Sequence, residues 1–298
     1  MSASAAVVGS EAVHAASRAR RRRRELAWKA LAYLILLGLG VFLMLPFFWL
    51  VSTSLKEPGT EFVYPPRWLP ERPAFGNYVE VFRLLPFHIF FVNTAVIVAA
   101  NIVGNILSGT LAGYAFARLR FRHKNLLFML CLSTIMLPSI VTLIPRFIIF
   151  KQLGWVNTPL PLMVPAFFGG NPFYIFLARQ FFLSIPIELD EAARVDGAST
   201  WRIWWQVILP LAGPLIAAMA IFSFQRNWND FLEPLIYLSD QEKLTLAIGL
   251  NSMRGLYATQ WNLLMAASTM VTIPVIVLFF TCQRFFMKGI VTTGLGGR

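Results

Sequence analysis

The chain has 298 residues, of which 57% are hydrophobic and only 13% charged, and it carries a formal net charge of +12. Soluble domains carry about 25% charged residues, so this composition excludes an ordinary water-soluble globular domain. The basic residues cluster between long apolar runs rather than along one face, which sets aside nucleic acid as the partner and favours a membrane.

The chain opens with residues 1–24, an Ala- and Ser-rich stretch followed by Arg18 and Arg20 to Arg24. It reads as a disordered basic tail. Residues 25–85 then form a first transmembrane helix and an external loop. The first apolar run is 21 residues long and lacks a small-residue cleavage site, so it reads as a retained anchor rather than a signal peptide. A span needs about 20 apolar residues. Six stretches without Asp, Glu, Lys, Arg or His come near or reach that length: Leu31–Val51, Ile89–Ala117, Leu126–Pro145, Pro159–Ala178, Ile208–Phe224 and Leu263–Cys282. The fold class is therefore an all-α membrane protein of six transmembrane helices. With six spans, seventeen Lys and Arg fall on one side and nine on the other. The basic excess marks the cytoplasmic face, which places both termini inside and Arg20 to Arg24 against anionic lipid. Residues 86–285 hold the other five helices with a cytoplasmic loop at 185–210, and residues 286–298 form a cytoplasmic tail.

Between spans one and two, Tyr64-Pro65-Pro66-Arg67-Trp68-Leu69-Pro70 reads as an ordered cap at the outer interface. Span two carries two stripes at i+4 spacing: Ala100, Gly104, Ser108, Ala112 and Asn101, Asn105, Gly109, Gly113. Small residues let helix backbones approach closely in lipid, and amides hydrogen-bond across the contact. Asn101 and Asn105 are read first as interhelical glue and second as lining a solute path. Span four is interrupted by Pro159, Pro161, Pro165, Gly169, Gly170, Asn171 and Pro172. Broken helices at membrane depth occur only where protein or a water-filled cavity covers the freed backbone, which adds Asn171 to the pathway or packing residues. The outer loop after span five brings Trp228 and Asn229 into the same group. It also holds Leu244–Leu250, too short to span and read as interfacial or re-entrant. Cys131 and Cys282 offer neither a disulfide framework nor metal-ligand spacing. His14, His88 and His123 read as solvated.

The loop 185–210 reads as a helix–turn–helix on the inner surface. Pro186 suits a first helical turn, and Glu188, Asp190 and Glu191 put negative charge near the N-terminus, where the helix dipole favours it. Ala192 and Ala193 leave a flat patch that another protein can approach. Asp196-Gly197 stops the first helix. Ser199 or Thr200 caps the second, on which Trp201, Trp204, Trp205 and Ile208 form an apolar face. Pro210 marks the entry to span five.

Glu191-Ala192-Ala193, then three residues to Gly197, then nine to Val207-x-Leu209-Pro210, resembles the EAA loop of ABC importer permeases, with Val207 in place of Ile. The six spans, Trp228-Asn229-Asp230, Gln260-Trp261-Asn262 and the ending Lys288-Gly289-Ile290-Val291-Thr292-Thr293-Gly294 are similar to the MalG-type subunit of carbohydrate importers. The resemblance runs from about residue 31 to the C-terminus. It implies a type I ABC importer permease architecture in a bacterial or archaeal cytoplasmic membrane. It also implies that Glu191, Ala192, Ala193, Asp196, Gly197, Leu209 and Pro210 form a coupling element seated in a cytoplasmic ATPase. The implied partners are a second permease subunit, two copies of that ATPase, an extracellular solute-binding protein and a sugar, for which the uncharged spans suit a neutral oligosaccharide.

The chain lacks a Gly-x-x-x-x-Gly-Lys-Ser/Thr phosphate loop. The expectation is that this subunit is not an enzyme and binds no cofactor, ATP and magnesium belonging to the partner ATPase. No carboxylate or His lies within a span, so a proton or ion relay lacks its side chains. The alternatives are a secondary transporter or channel working without an ATPase, through the carbonyls of a broken span four, and a permease for a non-sugar solute such as glycerol 3-phosphate.

Overall fold

The computed structural model describes the backbone of residues 3–256 and 260–294, and the side chains of residues 22, 24–254 and 260–282. The described residues form helices joined by turns, with no strand. α1 runs from Ala3 to Ser54, so the tail expected to be disordered is drawn as a helical continuation of span one; the side chains of Arg18, Arg20, Arg21 and Arg23 lie outside the described residues. The apolar part of α1, Arg24–Ser54, is unburied over its most hydrophobic window. It stands beside the bundle and packs into the rest near its C-terminal end, where Ser52, Thr53 and Ser54 are buried. The short helix α2 (Gly76–Leu84) fastens that end. Asn77 Nδ2 donates to the carbonyls of Ser54 (2.8 Å) and Lys56 (2.9 Å), and Asn262 Nδ2 donates to Asn77 Oδ1 (3.1 Å).

α3 (Phe87–Arg118) is the unbroken central helix. α4 (Lys124–Ser133) and α5 (Ser139–Gln152) follow. Together they form a broken span three, bent by 102°. Leu137, which precedes Pro138, is extended (φ −77°, ψ 120°), as the proline ring requires of the residue before it. Span four consists of α6 (Leu160–Met163), a 3₁₀ stretch Val164–Phe168, the left-handed Gly169, and α7 (Pro172–Ser184). The loop 185–210 holds α8 (Glu188–Val195), α9 (Thr200–Arg202), a π-helical stretch Ile203–Ile208 and α10 (Leu209–Leu211). An 80° bend at Ala212 leads into α11 (Gly213–Trp228). Pro214 at that bend lacks the N–H that would bond the carbonyl of Pro210. α12 (Leu232–Tyr237), α13 (Leu246–Leu256) and α14 (Trp261–Gly294) complete the chain. Four helices are thus long and apolar enough to cross a membrane, and six spans result when each bent pair counts as one. Leu244–Leu250 falls largely in α13, whose Gly249 lies against Phe90 of α3. The sequence Lys288–Gly294 continues α14, with its side chains outside the described residues.

Span two packs against span four through its glycines. A Cβ on Gly104 would stand 2.9 Å from the Ala166 Cβ, and one on Gly113 would stand 2.5 Å from the Ala178 Cβ and 2.9 Å from the Arg179 backbone nitrogen. These helices therefore touch backbone to backbone, the close approach that small residues permit in lipid. Two buried clusters flank this contact. One contains Phe90, Trp228, Leu246, Met253, Ala266 and Ala267; the other contains Tyr114, Tyr174, Phe182, Ile203, Trp204 and Ile208.

Candidate functional site

The loop 185–210 rests on the second cluster. α8 carries Glu188, Asp190 and Glu191 in its first turn, but their environments differ. Glu191 is exposed, whereas Asp190 is completely buried. Tyr114 donates its hydroxyl to Asp190 Oδ1 at 2.9 Å, and Arg118 Nε lies 3.4 Å from Asp190 Oδ2. Arg118 Nη2 also donates to the Ile185 carbonyl at 2.6 Å. Ala193, three residues after Asp190, shares its inward face and packs half-buried against Ile203 and its neighbours. The flat patch expected of both alanines is thus supplied by Ala192 alone. The outward surface is Glu191, Ala192 and Val195, the last 88% exposed.

The helix stops where the sequence indicated. Gly197 has φ +80°, its N–H bonds the Arg194 carbonyl (3.0 Å), and the Ala198 N–H bonds the Ala193 carbonyl (2.9 Å). This is a Schellman closure, in which the left-handed residue costs least as glycine. Asp196 forms the exposed C-cap before it. Ser199 caps the second helix by accepting from the Arg202 N–H at 3.4 Å. Pro186 precedes α8 by a turn residue instead of sitting in its first turn. The expected apolar face is also different. Ile203, Trp204 and Ile208 are buried, but Trp201 and Trp205 are 61% and 51% exposed. The π-helical stretch widens the turn beyond 3.6 residues, so the i, i+3, i+4, i+7 rule places Trp204 and Ile208 correctly but turns Trp201 and Trp205 inward when they face out. Leu209 is half-buried against the same cluster, and Pro210 is exposed at the bend.

A polar cavity of about 80 Å³ lies between α3, α5, span four and the outer end of α11. Asn101, Asn105 and Asn171 all line it, and all three also hold structure. Asn101 Nδ2 donates to the Ile97 and Leu162 carbonyls (2.9 and 2.7 Å), the latter on span four. Asn105 Nδ2 donates to Ser223 Oγ at 3.1 Å. Asn171 caps α7 by accepting from the Phe173 N–H at 3.1 Å. Trp228 does not line the cavity: it is buried, stacks on Phe224 and donates Nε1–H to the Val271 carbonyl at 3.1 Å, which joins α11 to α14. Asn229 is exposed and bonds back to Gln225. Its neighbours Asn227 and Asp230 face the cavity in its place.

The charged lining, with Arg146, Arg226, Asp230 and Glu233, lies among residues that the sequence does not single out as pathway residues. Arg146 and Glu233 form an ion pair at 2.9 Å. Arg146 Nε and Thr245 Oγ1 are buried on this cavity without hydrogen-bond partners. Burial, and then the charge of Glu233 beside it, raises the pKa of Asp230 above its ordinary value. A signal existed only in part: Arg146 directly follows an apolar run, but nothing local says that it meets Arg226, Asp230 and Glu233. Among the described residues, no cluster of His, Cys, Asp or Glu has metal-binding geometry.

A helical bundle whose broken spans enclose a polar cavity, and whose inner loop is pinned to the core while showing a small exposed face, has the architecture of an ABC importer permease. The chain belongs to the family of binding-protein-dependent transport system inner membrane components, which matches residues 105–291. It is 33% identical over 247 residues to the arabinooligosaccharides transport system permease protein AraQ of Halalkalibacterium halodurans, covering 83% of this chain and 86% of that protein. It is 32% identical over 266 residues to the sn-glycerol-3-phosphate transport system permease protein UgpE of Yersinia pestis, covering 86% and 94%. The fold matches a chain in the crystal structure of a bacterial ABC transporter involved in the import of the acidic polysaccharide alginate. There the TM-score is 0.76 at 24% identity, over 86% of this chain and 96% of that one. The protein is a multi-pass permease subunit of an ABC importer, a family that works with a second permease, an ATPase and a binding protein.

Proposed function

We propose that this subunit forms, with a second permease, the path for a neutral sugar such as an oligosaccharide, and that α8 couples the path to a cytoplasmic ATPase. The observation that carries the reading is the outward face of α8. Glu191, Ala192 and Val195 are exposed on a short helix whose other side is locked into the protein's own core. A methyl group at Ala192 lets a partner approach the helix closely, Val195 offers apolar contact, and Glu191 meets polar or basic groups. Gly197 and Asp196 set the end of the helix, and Leu209 and Pro210 set the entry to α11. The complex holds two copies of the ATPase, in which ATP and magnesium bind, and receives solute from an extracellular binding protein. Both termini lie in the cytoplasm of a bacterial or archaeal cell.

The cavity supports a neutral solute. Its lining carries two guanidinium groups, Arg146 and Arg226, and two carboxyl groups, Asp230 and Glu233, so it presents balanced charge with amide donors and acceptors. It holds only a few waters in this conformation, and passage of a sugar requires the second permease to move away. A phosphoester, the solute named for UgpE, is favoured only by the two arginines, and Arg146 is already paired. An apolar groove of about 720 Å³, lined by Leu111, Phe168 and Trp201 among others, provides a seat for the second permease.

Co-purification tests the reading. The intact complex should bring down an ATPase and a second permease, and recovery of this chain alone would leave a carrier or channel as the better account. Cysteines placed at Ser10 and Asp240 test topology in sealed right-side-out vesicles. Only position 240 should react with an impermeant reagent, and labelling at position 10 would overturn the cytoplasmic N-terminus.

A further inference from the structure

α3 runs unbroken from the polar cavity to the cytoplasmic loop. Asn105 lines the cavity, and Arg118 at its last turn lies about 20 Å further along the axis at 1.5 Å per residue. There Arg118 and Asp190 make an ion pair with side chains 5% and 0% exposed. Tyr114 adds its hydroxyl to the same carboxylate, and Arg118 also holds the Ile185 carbonyl just before α8. Residues 76 apart in sequence thus join the first turn of the coupling helix to span two. The connection is stiff on the membrane side as well. The backbone of α3 at Gly113 is pressed against α7 at Ala178, so spans two and four behave as one body.

The rest of α8 is held less directly. Its end leads through Gly197 and Ser199 into the π-helical stretch, and its outward face is exposed. A push on that face therefore reaches the membrane by two routes: the chain segment Ile185–Ile187 into span four, and the buried carboxylate into span two. The second route is stiffer than an apolar contact, because separating either charge from its partner leaves it buried and uncompensated.

We infer that Asp190, held by Arg118 and Tyr114, is a positioning residue that carries displacement of the coupling helix into span two. Movement at the ATPase then reaches the cavity lining at Asn101 and Asn105 as motion of one rigid helix. A coupling claim requires an element with two arrangements that both sites bias, and the experiment below tests whether span two is that element. The inference rests on the functional reading above.

The experiment uses the whole complex in proteoliposomes, with Asn105→Cys as reporter and Cys131 and Cys282 replaced by serine. The labelling rate of the reporter by a methanethiosulfonate reagent is measured with and without ATP–vanadate trapping. With Asp190 in place, trapping should change the rate by about tenfold, within the usual range for linked sites. Asp190→Asn and Arg118→Lys should lose most of that change while the ATPase still co-purifies. A merely structural role would lower recovery but leave the response of whatever assembles intact. A full vanadate response in assembled Asp190→Asn overturns the inference. If that variant fails to assemble, Tyr114→Phe decides, since it keeps the ion pair and removes only one donor: a weakened response supports the inference and a full one overturns it. A parent complex with no ATPase, or with no vanadate response, defeats the functional reading and this inference with it; a responsive parent with unaffected variants defeats this inference alone.

Discussion

The two ends of span two use polar residues in opposite ways. At the outer half, Asn101 donates to the Leu162 carbonyl of the broken span four at 2.7 Å, beside a cavity open enough to keep Arg146 and Glu233 partly solvated. At the inner end, Tyr114 and Arg118 close on Asp190 with no solvent at all on the carboxylate. Between them the helix presents glycine to its neighbours. The outer half is thus suited to rearrangement around water and solute, and the inner end to transmitting position.

The sharpest way to break this comparison is to separate the helices that carry it. Gly113→Leu inserts a side chain where the first carbon already meets the Ala178 Cβ at 2.5 Å and backbone at 2.9 Å. Overpacking costs about 1–3 kcal/mol where neighbours can shift, and backbone shifts less readily than side chains. The expected outcome is loss of folded protein in detergent, read by thermal stability and monodispersity. A Gly113→Leu protein with the parent's stability would show that spans two and four are not packed as described.

The coupling face gives the next largest effect, and here position matters more than residue type. Ala192→Trp points outward and should leave stability unchanged while reducing ATPase recovery by about tenfold or more, equivalent to about 1.4 kcal/mol of binding. Ala193→Trp should lower both, because Ala193 packs against Ile203 and its neighbours. Equal effects of the two on thermal stability would contradict the inward turn of Ala193.

Gly197→Val follows. Nothing stands within 4 Å of a Cβ there, so the cost is backbone alone, about 1–2 kcal/mol for a forced left-handed residue. Expression should survive and uptake should fall. Gly197→Asn, which tolerates φ +80°, should recover most of the uptake. A valine variant with normal uptake would mean that the turn does not set the coupling geometry.

These contrasts mark what the sequence makes legible. The loop from Glu191 to Pro210 is readable because its stop, cap and charge pattern act over a few residues, as Gly197 and Ser199 do here. The span count is readable because apolar length is local, and Pro138 marks where span three breaks, although the size of the bend, 102°, is not written in the sequence. The Arg118–Asp190 pair is not readable. In the sequence, Arg118 is one more basic residue on the cytoplasmic side and Asp190 one more acid in a helical first turn; only the folded chain brings them together. The same is true of the cavity charges. The sequence singled out Asn229, but beyond the end of α11 the chain turns Asp230 into the cavity in its place.

The smallest expected effect belongs to the cavity and bears on pH. Asp230 has a raised pKa, first through burial and then through Glu233, with Arg226 opposing. A carboxyl whose folded pKa exceeds its unfolded value stabilises the fold below the unfolded pKa, and that contribution is lost as pH rises through the folded one. Asp230→Asn removes the titration, so relative to that variant the parent should lose stability as pH rises from 3.8 toward neutrality. Glu233→Gln keeps the titration but removes the neighbouring charge, so the loss should begin at the same pH, end at a lower one and be smaller. It also breaks an ion pair with Arg146 whose side chains are 34% and 25% exposed; surface pairs contribute about 0–1 kcal/mol, and this half-open one should lie near the upper part of that range. Thermal unfolding in detergent across pH, for parent and both variants, separates these contributions. Identical pH slopes for the parent and Asp230→Asn would show that the outer half of the cavity is as well solvated as open water, and the contrast with the dry inner end would then extend to every charge that lines it.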